Sequence, residues 1–207
     1  MYTITPAAPA DVPEAAAVLG QAFEGDAVLA AVTGRPHPSA ERLTSLFAPL
    51  LRSGALAHGA IDLARTADGS LVGVAVWEPP DTSTHLLRQA LEVPALLRAL
   101  GLRGAAQGLT ILRRFAQHRP AEKHWHLGQI GAVPSARGTG VGSALLRDRL
   151  RRIDAEGSPA YLESSNENNR RLYARAGFQA ITSITGIGDA LPMAMWRPAA
   201  TGRGGGA

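Results

Sequence analysis

Cysteine is absent from the 207-residue chain, and this absence excludes disulfides, thiolate nucleophiles and cysteine-based metal sites. Lysine is almost absent as well: Lys123 stands alone, and the arginines behind the net charge of +4 are scattered through several predicted helices. Aromatic residues make up 5% of the chain, so the basic, aromatic-rich block typical of nucleic-acid binding is missing. The composition therefore argues against a nucleic-acid partner.

Long hydrophobic runs are also missing. The most apolar stretches, 93–102 and 104–112, are interrupted by Arg98, Arg103 and Gln107 and fall short of the roughly 18 residues that a membrane span needs. The first residues show neither the basic region nor the apolar core of a signal peptide. We therefore expect a cytoplasmic protein without a membrane partner.

Apolar periodicity predicts a chain in which strands and helices are interleaved. Asp68-Gly69 between the apolar runs 58–66 and 71–78 predicts a hairpin. From 84 to about 118 the pattern becomes helical, which we interpret as two or three helices with a break at Pro94 and weaker helical character at Gly101, Gly104 and Gly108. Other strands are predicted at 2–5, 124–133, 160–163, 178–187 and 191–197, and other helices at 11–25, 26–32, 39–54, 139–156 and 167–176.

A glycine-rich turn joins a predicted strand to a predicted helix at residues 134–143. Free N–H groups and the aligned peptide dipoles make such a helix N-terminus a site for phosphate. The nucleoside triphosphate loop requires a lysine that Val141-Gly142-Ser143 lacks. The dinucleotide fingerprint fits incompletely, because a serine stands at the place of its final glycine and the unit comes late in the chain.

Two motifs together resemble a known family. Residues 137–142 read Arg-Gly-Thr-Gly-Val-Gly, and residues 166–178 read Asn-Glu-Asn-Asn-Arg-Arg-Leu-Tyr-Ala-Arg-Ala-Gly-Phe. Both resemble segments of the GNAT superfamily of N-acetyltransferases. The helical insert, the segments 23–26 and 118–125, and the strand end 162–165 look like the puromycin N-acetyltransferase-like branch of that superfamily.

The resemblance implies an α/β (α+β) fold with a mixed, mainly antiparallel sheet, flanking helices and a helical insert between the third and fourth strands. It implies one N-acetyltransferase domain over 1–200, with a disordered glycine-rich tail at 201–207. Acetyl-CoA is the implied acetyl donor, and Tyr173 the implied general acid. The implied cofactor-binding residues are Ile130, Ala132, Val133, Arg137, Gly138, Thr139, Gly140, Val141, Gly142, Ser143 and Asn169.

The proton acceptor has four candidates, Glu163, His124, His126 and water. Glu163 leads, because it ends the strand next to the cofactor site. His124 and His126 compete, since both lie on one face of a strand and histidine titrates near neutral pH. Asn166 either holds the pantetheine arm or caps the helix of Tyr173. No metal site is predicted, because the histidines lack partners at ligand spacing.

The predicted reaction is direct transfer of the acetyl group from acetyl-CoA to a primary amine of a small molecule (antibiotic or metabolite) or to a protein lysine. A non-catalytic acyl-CoA-binding or regulatory module is the alternative. A homodimer is possible on the sequence. The ammonium group of the acceptor has four candidate carboxylates, namely Glu24, Asp26, Asp62 and Glu78.

Overall fold

Seven strands form one sheet in the computed structural model, which describes residues 1–58, 60–80 and 86–200. The predicted tail at 201–207 and the first two residues of the predicted insert, 84–85, lie outside the described residues. The strand order is β1-β2-β3-β4-β5-β7-β6. The strands are β1 (Thr3–Pro6), β2 (Ile61–Arg65), β3 (Leu71–Glu78), β4 (Trp125–Ala132), β5 (Ala160–Ser164), β6 (Gln179–Ser183) and β7 (Met193–Arg197).

Neighbouring strands of the sheet are antiparallel, with the exception of the parallel pair β4 and β5. The predicted hairpin joins β2 to β3, and Gly69 in its turn has φ +87°, which an L side chain rarely adopts. The predicted α/β fold class is confirmed, including the helical segment between the third and fourth strands. The helices are α1 (Val12–Ala22), α2 (Ala27–Thr33), α3 (Ala40–Ser53), α4 (Leu86–His118), α5 (Val141–Ala155) and α6 (Glu167–Arg175).

The insert breaks at a different residue from the one predicted. Pro94 lies inside α4, whereas the backbone leaves the helical region at Gly101, with φ +70° and ψ +171°. Pro94 is exposed, so water can solvate the carbonyl that its missing N–H leaves without a partner. The insert is therefore two helical halves that meet at Gly101.

The two faces of the sheet bury separate sets of side chains. One face packs against α5 and α6, around residues such as Leu145 and Leu162. The other packs against α1 and α3, around residues such as Leu19 and Phe47. The α1 helix lies so close to β4 that a Cβ at Gly131 would stand 2.5 Å from the Ala22 methyl group.

Two acidic residues have structural partners that the sequence did not reveal. Asp62, a candidate for recognising the acceptor, is fully buried on the α5 face of the sheet and forms a two-bonded ion pair with Arg149. Asp11 precedes α1 as predicted, but its side chain does not cap that helix and instead accepts from the Ala8 N–H and from Arg65. Asp62 is thus removed from the acceptor candidates.

No single helix in the described ranges is long and apolar enough to cross a membrane. The bent pair of helical segments Pro9–Ala22 and Ala27–Thr33 reaches that length and apolar composition when its two members are taken together.

Candidate active site

The parallel strands β4 and β5 separate towards their carboxyl ends. They pair from Trp125 with Ala160 to Leu127 with Leu162, and beyond Leu127 strand β4 pairs with β3 alone. The next residue of β5, Glu163, pairs with β7. A wedge-shaped gap therefore opens in the middle of the sheet, and the edge of β4 that faces it has unpaired backbone groups.

A β-bulge at Gly128 determines which residues face this gap. On β3, Val76 pairs with Gln129 and Trp77 pairs with Leu127, so Gly128 is the extra residue. The bulge shifts the alternation, so that Ile130 joins Leu127 on the α5 side of the sheet. The sequence offered one signal for this bulge, a glycine inside a predicted strand.

The three strand residues predicted to contact the pantetheine arm differ in their backbone bonding. The Val133 N–H donates to Val72 O over 3.0 Å, and its carbonyl accepts from the Ala136 N–H over 3.0 Å. Because successive strand residues direct their N–H groups to opposite edges, Ile130 and Ala132 direct theirs towards the gap. Ile130 and Ala132 are therefore the two of the three with backbone groups free for a ligand in the gap.

The glycine turn lies at the mouth of the gap. Gly138 and Gly140 have φ +78° and +90°, the left-handed conformation that glycine adopts without strain. Helix α5 begins at Val141, and the N-cap Gly140 supplies no side-chain cap. The N–H groups of Val141, Gly142 and Ser143 are consequently free of intrahelical partners, and the helix dipole adds positive potential there.

Side chains outside the turn hold it in place. Arg137 Nη2 donates to the carbonyl of Ala22 over 3.0 Å, which ties the turn to the end of α1. Thr139 Oγ1 accepts from the Tyr2 hydroxyl over 2.6 Å and donates to Ala136 O over 2.6 Å. These bonds use the Arg137 and Thr139 side chains for positioning the loop, and the N–H groups of the same two residues donate to the carbonyls of Pro134 and Ala136. The N–H groups that remain for a ligand are those of Gly138 and of residues 140–143.

Tyr173, the predicted general acid, is carried by α6, which follows β5, and it belongs to the buried cluster on the α5 face of the sheet. Its side chain is 5% exposed and its ring packs edge-on against Phe178, with centroids 6.1 Å apart. Burial raises the pKa of the phenol, and the negative charge of Asp26 raises it further. Asp26 belongs to the turn between α1 and α2, so that turn lies within electrostatic range of the phenol.

Asn166 has the capping role that the sequence left open. Its side-chain oxygen accepts from the Asn169 N–H over 2.9 Å at the start of α6. The Asn169 side chain is half-buried on the same turn of the helix. Asn166 therefore orients the helix that carries Tyr173.

Glu163 lies at the inner end of the gap, on the face of the sheet opposite α5. Its side chain is 9% exposed, and Oε2 is 2.8 Å from His126 Nε2. Oε1 is buried and has no hydrogen bond of ordinary geometry among the described residues. A carboxylate oxygen in that condition costs free energy unless a ligand donates to it. The phenol of Tyr161 lies beside this carboxylate, and burial together with the charge of Glu163 raises the pKa of that phenol.

His126 is bound on both sides. Its Nδ1 is 3.0 Å from Glu78 Oε2 and 2.7 Å from Arg119 Nη2, and Arg119 Nη1 donates to Glu78 Oε2 over 3.2 Å. Burial favours the neutral ring, but the charges and hydrogen bonds of Glu163 and Glu78 prevail and raise its pKa to about 9.

Glu78, at the end of β3, is the exposed member of this group. Burial raises the pKa of Glu78. The hydrogen bond to His126 and the charges of His126 and Arg119 outweigh burial and bring this pKa down to about 2. We therefore describe His126 at neutral pH as an imidazolium between two carboxylates. Neither Glu78 nor Arg119 was a predicted partner of His126, because both pairs depend on contacts between segments that the sequence does not place together.

His124 has a different environment from His126. Its Nδ1 contacts the Glu122 carbonyl, and its ring packs edge-on against Tyr161 and Trp196. Burial lowers its pKa, and the positive charges of His126 and Arg119 lower it further despite the bond to Glu122. His124 is thus a neutral ring packed between Tyr161 and Trp196 at the start of β4.

The sequence of this chain matches the model of the acetyltransferase (GNAT) family over residues 63–178. That range runs from β2 through the gap and the glycine turn to the end of the Tyr173 helix. The chain belongs to the GNAT family of acetyltransferases.

Solved structures with this fold include several acetyltransferases. A structure described as histone acetyltransferase HPA2 and related acetyltransferase, from Corynebacterium glutamicum, is 32% identical, with a TM-score of 0.75 and 97% of each chain covered. A polyamine N-acetyltransferase from Drosophila melanogaster is 18% identical, with a TM-score of 0.59 and 95% and 98% covered. Arylalkylamine N-acetyltransferase 2 from Aedes aegypti is 13% identical, with a TM-score of 0.61 and 95% and 98% covered. The last two share the fold with this chain.

Proposed function

We propose that this protein transfers the acetyl group of acetyl-CoA directly to a primary amine, either of a small molecule or of a protein lysine. The observation that carries the proposal is the gap between β4 and β5. At the mouth of the gap lies the N-terminus of α5, which has no side-chain cap. At its inner end lies Glu163 Oε1, a buried carboxylate oxygen without a hydrogen-bond partner among the described residues. One end suits a pyrophosphate and the other suits a cationic amine.

The residues of the chain fit acetyl-CoA on steric grounds. A Cβ at Gly138 or at Gly140 would meet no atom within 4 Å, so the space beside these two residues of the turn is open to a ligand. We infer that the backbone of the turn from Arg137 to Ser143 binds the pyrophosphate, and that Ile130 and Ala132 bind the pantetheine amides. When bound, acetyl-CoA supplies an acetyl group activated as a thioester.

Glu163 is the proposed proton acceptor. An alkyl ammonium has a pKa of about 10 in water, so at neutral pH the acceptor arrives protonated and must lose a proton before it can attack. The unpartnered Oε1 accepts a hydrogen bond from that ammonium group and then takes its proton. His126 donates to the other oxygen and keeps the carboxylate oriented towards the gap.

Tyr173 is the proposed proton donor. Burial and the charge of Asp26 raise the pKa of the phenol, so its hydroxyl stays protonated at neutral pH. In this role the hydroxyl gives a proton to the sulfur that leaves. With no cysteine in the sequence, the chain lacks the thiol that an acyl-cysteine route would use.

The acceptor belongs to the face of the sheet on which Glu163 and His126 lie. Apart from the charged groups, this region is apolar, with Val28, Phe115 and Ile187 packed together near Tyr161. Asp26 borders it from the turn between α1 and α2, where its Oδ1 caps α2 and its charge reaches Tyr173. We propose that the acceptor is an amine with a slender apolar portion, since the carboxylate it must reach is 9% exposed.

Release of free CoA thiol from acetyl-CoA in the presence of a panel of amines tests the function. The panel contains aliphatic and aromatic monoamines, diamines, amine-bearing antibiotics and a lysine peptide. Thiol release that depends on one class of amine supports the proposal and identifies the acceptor. Tight binding of acetyl-CoA with no amine-dependent release across the panel would favour the alternative, a non-catalytic acyl-CoA-binding module.

The role of Tyr173 is tested by Tyr173→Phe. The change removes one oxygen and keeps the ring that packs on Phe178. We expect kcat to fall by about 10²- to 10⁴-fold, the usual contribution of a general acid, while Kd for acetyl-CoA stays within about twofold. A variant with the kcat of the wild type would remove Tyr173 from the mechanism.

Four further statements stay predictions of the sequence. They are the extent of the acetyltransferase unit over 1–200, the membership of the puromycin N-acetyltransferase-like branch, the cytoplasmic location and the possible homodimer. Assays of puromycin as an acceptor and sedimentation of the purified protein test the second and the fourth.

A further inference from the structure

The Nδ1 atom of His126 has two neighbours with opposite requirements. Glu78 Oε2, at 3.0 Å, is an acceptor and needs a proton on Nδ1. Arg119 Nη2, at 2.7 Å, is a donor and needs a lone pair there. One ring nitrogen cannot satisfy both at once, and each protonation state therefore has its own partner in place.

We propose that Glu78 and Arg119 make His126 a two-state proton outlet for Glu163, in which Nδ1 either donates to Glu78 or accepts from Arg119. The inference rests on the proposed function, because Glu163 is the group that takes the proton of the amine. Glu78 and Arg119 are positioning residues in this scheme, since they act on the reaction through His126 and Glu163.

The charges on every side of His126 explain how the two states are coupled to Glu163. Among the described residues, β5 contributes Glu163 and Tyr161, β3 contributes Glu78, and the segment before β4 contributes Arg119. Directly before β4 the nearest titratable neighbour is His124, whose neutral ring packs on Tyr161. Glu163 and Glu78 are thus the anions that hold the proton on the ring.

Proton transfer to Glu163 changes this balance. When Oε1 takes a proton from the ammonium, the carboxylate becomes neutral and one of the two anions that hold His126 as an imidazolium is lost. The second proton that the amine nitrogen loses in becoming an amide replaces the one that Tyr173 gives to the sulfur. The Nδ1 proton then passes to Glu78 Oε2 and on to water, because Glu78 is 49% exposed. Arg119 Nη2 donates to the Nδ1 lone pair that remains.

The proton count closes over one cycle. Formation of an amide and a thiol from an ammonium and a thioester releases one proton. His126 gives one proton to water when Glu163 is neutralised; after the product leaves, Nδ1 regains a proton and Glu163 loses the one that it took. The net result is one proton to water, and the charge of the cluster stays constant while the acceptor is bound.

Two substitutions separate this device from a purely structural network. Glu78→Gln removes the anion that favours the protonated ring, so we expect the pKa of His126 to fall by about one unit or more. Arg119→Met removes the donor that favours the neutral ring and one positive charge, so we expect that pKa to rise. Shifts of opposite sign follow from the geometry at Nδ1, whereas general loosening of the site would move the two variants in the same direction.

The measurement is an NMR titration of the His126 ring nitrogens in the full-length protein, followed by pH profiles of kcat/KM. Glu78→Gln should also move the basic limb of the profile to lower pH and Arg119→Met should move it to higher pH, because the outlet requires a proton on His126 when Glu163 takes one from the amine. The matched controls are Glu92→Gln and Arg52→Met, which alter another Arg–Glu pair with N···O distances of 2.8 Å on α3 and α4. The controls should leave the titration of His126 unchanged.

The two possible failures can be distinguished. Equal titration of His126 in the wild type, Glu78→Gln and Arg119→Met, or shifts of the same sign, would overturn the outlet whether or not the protein acetylates amines. The expected shifts of opposite sign with no matching change in the basic limb would also overturn it. Shifts of opposite sign in a protein that acetylates no amine would instead overturn the proposed function.

Discussion

The buried ion pair between Asp62 and Arg149 leads to a stability prediction that bears on the glycine turn. Arg149 lies in the middle of α5, whose first residues form the proposed pyrophosphate site, and it bonds to β2 through Nε and Nη2 at 2.8 and 2.6 Å. The Asp62 side chain is fully buried and that of Arg149 is 6% exposed. The Arg149 guanidinium also lies 5.4 Å from the ring centroid of Trp125.

The substitution Arg149→Met keeps the aliphatic stem and removes the charge. Asp62 then becomes a buried carboxylate without its counter-ion, which costs about 3–5 kcal/mol of unfolding free energy. That loss is a large part of the roughly 5–15 kcal/mol by which a domain is stable. Urea unfolding followed by circular dichroism at pH 7 measures it.

The double variant Asp62→Leu with Arg149→Met separates the ion pair from the packing. Replacing both charges by apolar groups removes the unpaired carboxylate, so we expect it to recover most of the loss. The control Arg52→Met breaks an exposed pair with Glu92 and should cost no more than about 1 kcal/mol. A loss of that small size for Arg149→Met, or no recovery in the double variant, would refute the reasoning.

Two further predictions concern the cofactor and the pH dependence of stability. Gly142→Val places a branched side chain in the first turn of α5, where its Cβ would stand 3.2 Å from Leu172 Cδ2. The strain displaces the N–H groups of that turn and should weaken acetyl-CoA binding roughly tenfold or more, the loss of one charge-assisted hydrogen bond of about 1.5–3 kcal/mol. An unchanged Kd by calorimetry would contradict the assignment. His126 has a pKa of about 9 in the folded protein, above the ~6.5 of an unfolded histidine. Its proton therefore contributes roughly 3 kcal/mol to the free energy of unfolding. This contribution is complete below pH 6.5 and is lost as the pH rises through 9. Urea unfolding from pH 6 to 10 should show that loss in the wild type and not in His126→Gln; parallel curves for the two proteins would be the opposing result.

Local sequence signals predicted much of the fold. Asp68-Gly69 identified the hairpin, because that turn needs a residue that tolerates a positive φ. The glycine turn and the helix after it were predicted for the same kind of reason, since Gly138 and Gly140 have left-handed φ values. Such signals depend on a few neighbouring residues, and the sequence contains all of them.

The break in the insert shows where local rules fall short. Pro94 and Gly101 both disfavour a helix, and which of them ends it depends on exposure and on packing against other elements. Exposure of Pro94 allows the helix to continue there, and it ends at Gly101. Tertiary surroundings decided between two residues that the sequence alone could not rank.

The charges around the candidate site depend on still longer-range contacts. His126 was a rival of Glu163 in the sequence, whereas in the structure the two are bonded to each other, and Glu78 and Arg119 complete the group. These contacts require the register of β3, β4 and β5, which the bulge at Gly128 alters. The two candidates for the base are thus parts of one hydrogen-bonded unit.

The central claim is that the gap between β4 and β5 is the place where an acetyl group passes from acetyl-CoA to an amine. The most direct test mixes the enzyme with acetyl-CoA carrying a ¹³C-labelled acetyl group and the best amine of the panel, and quantifies both products by mass spectrometry over one turnover. The account predicts labelled N-acetyl amine and free CoA in equal amounts, with no acetylated protein at any time. Free CoA without labelled amine, or a labelled protein that forms and then decays, would contradict it.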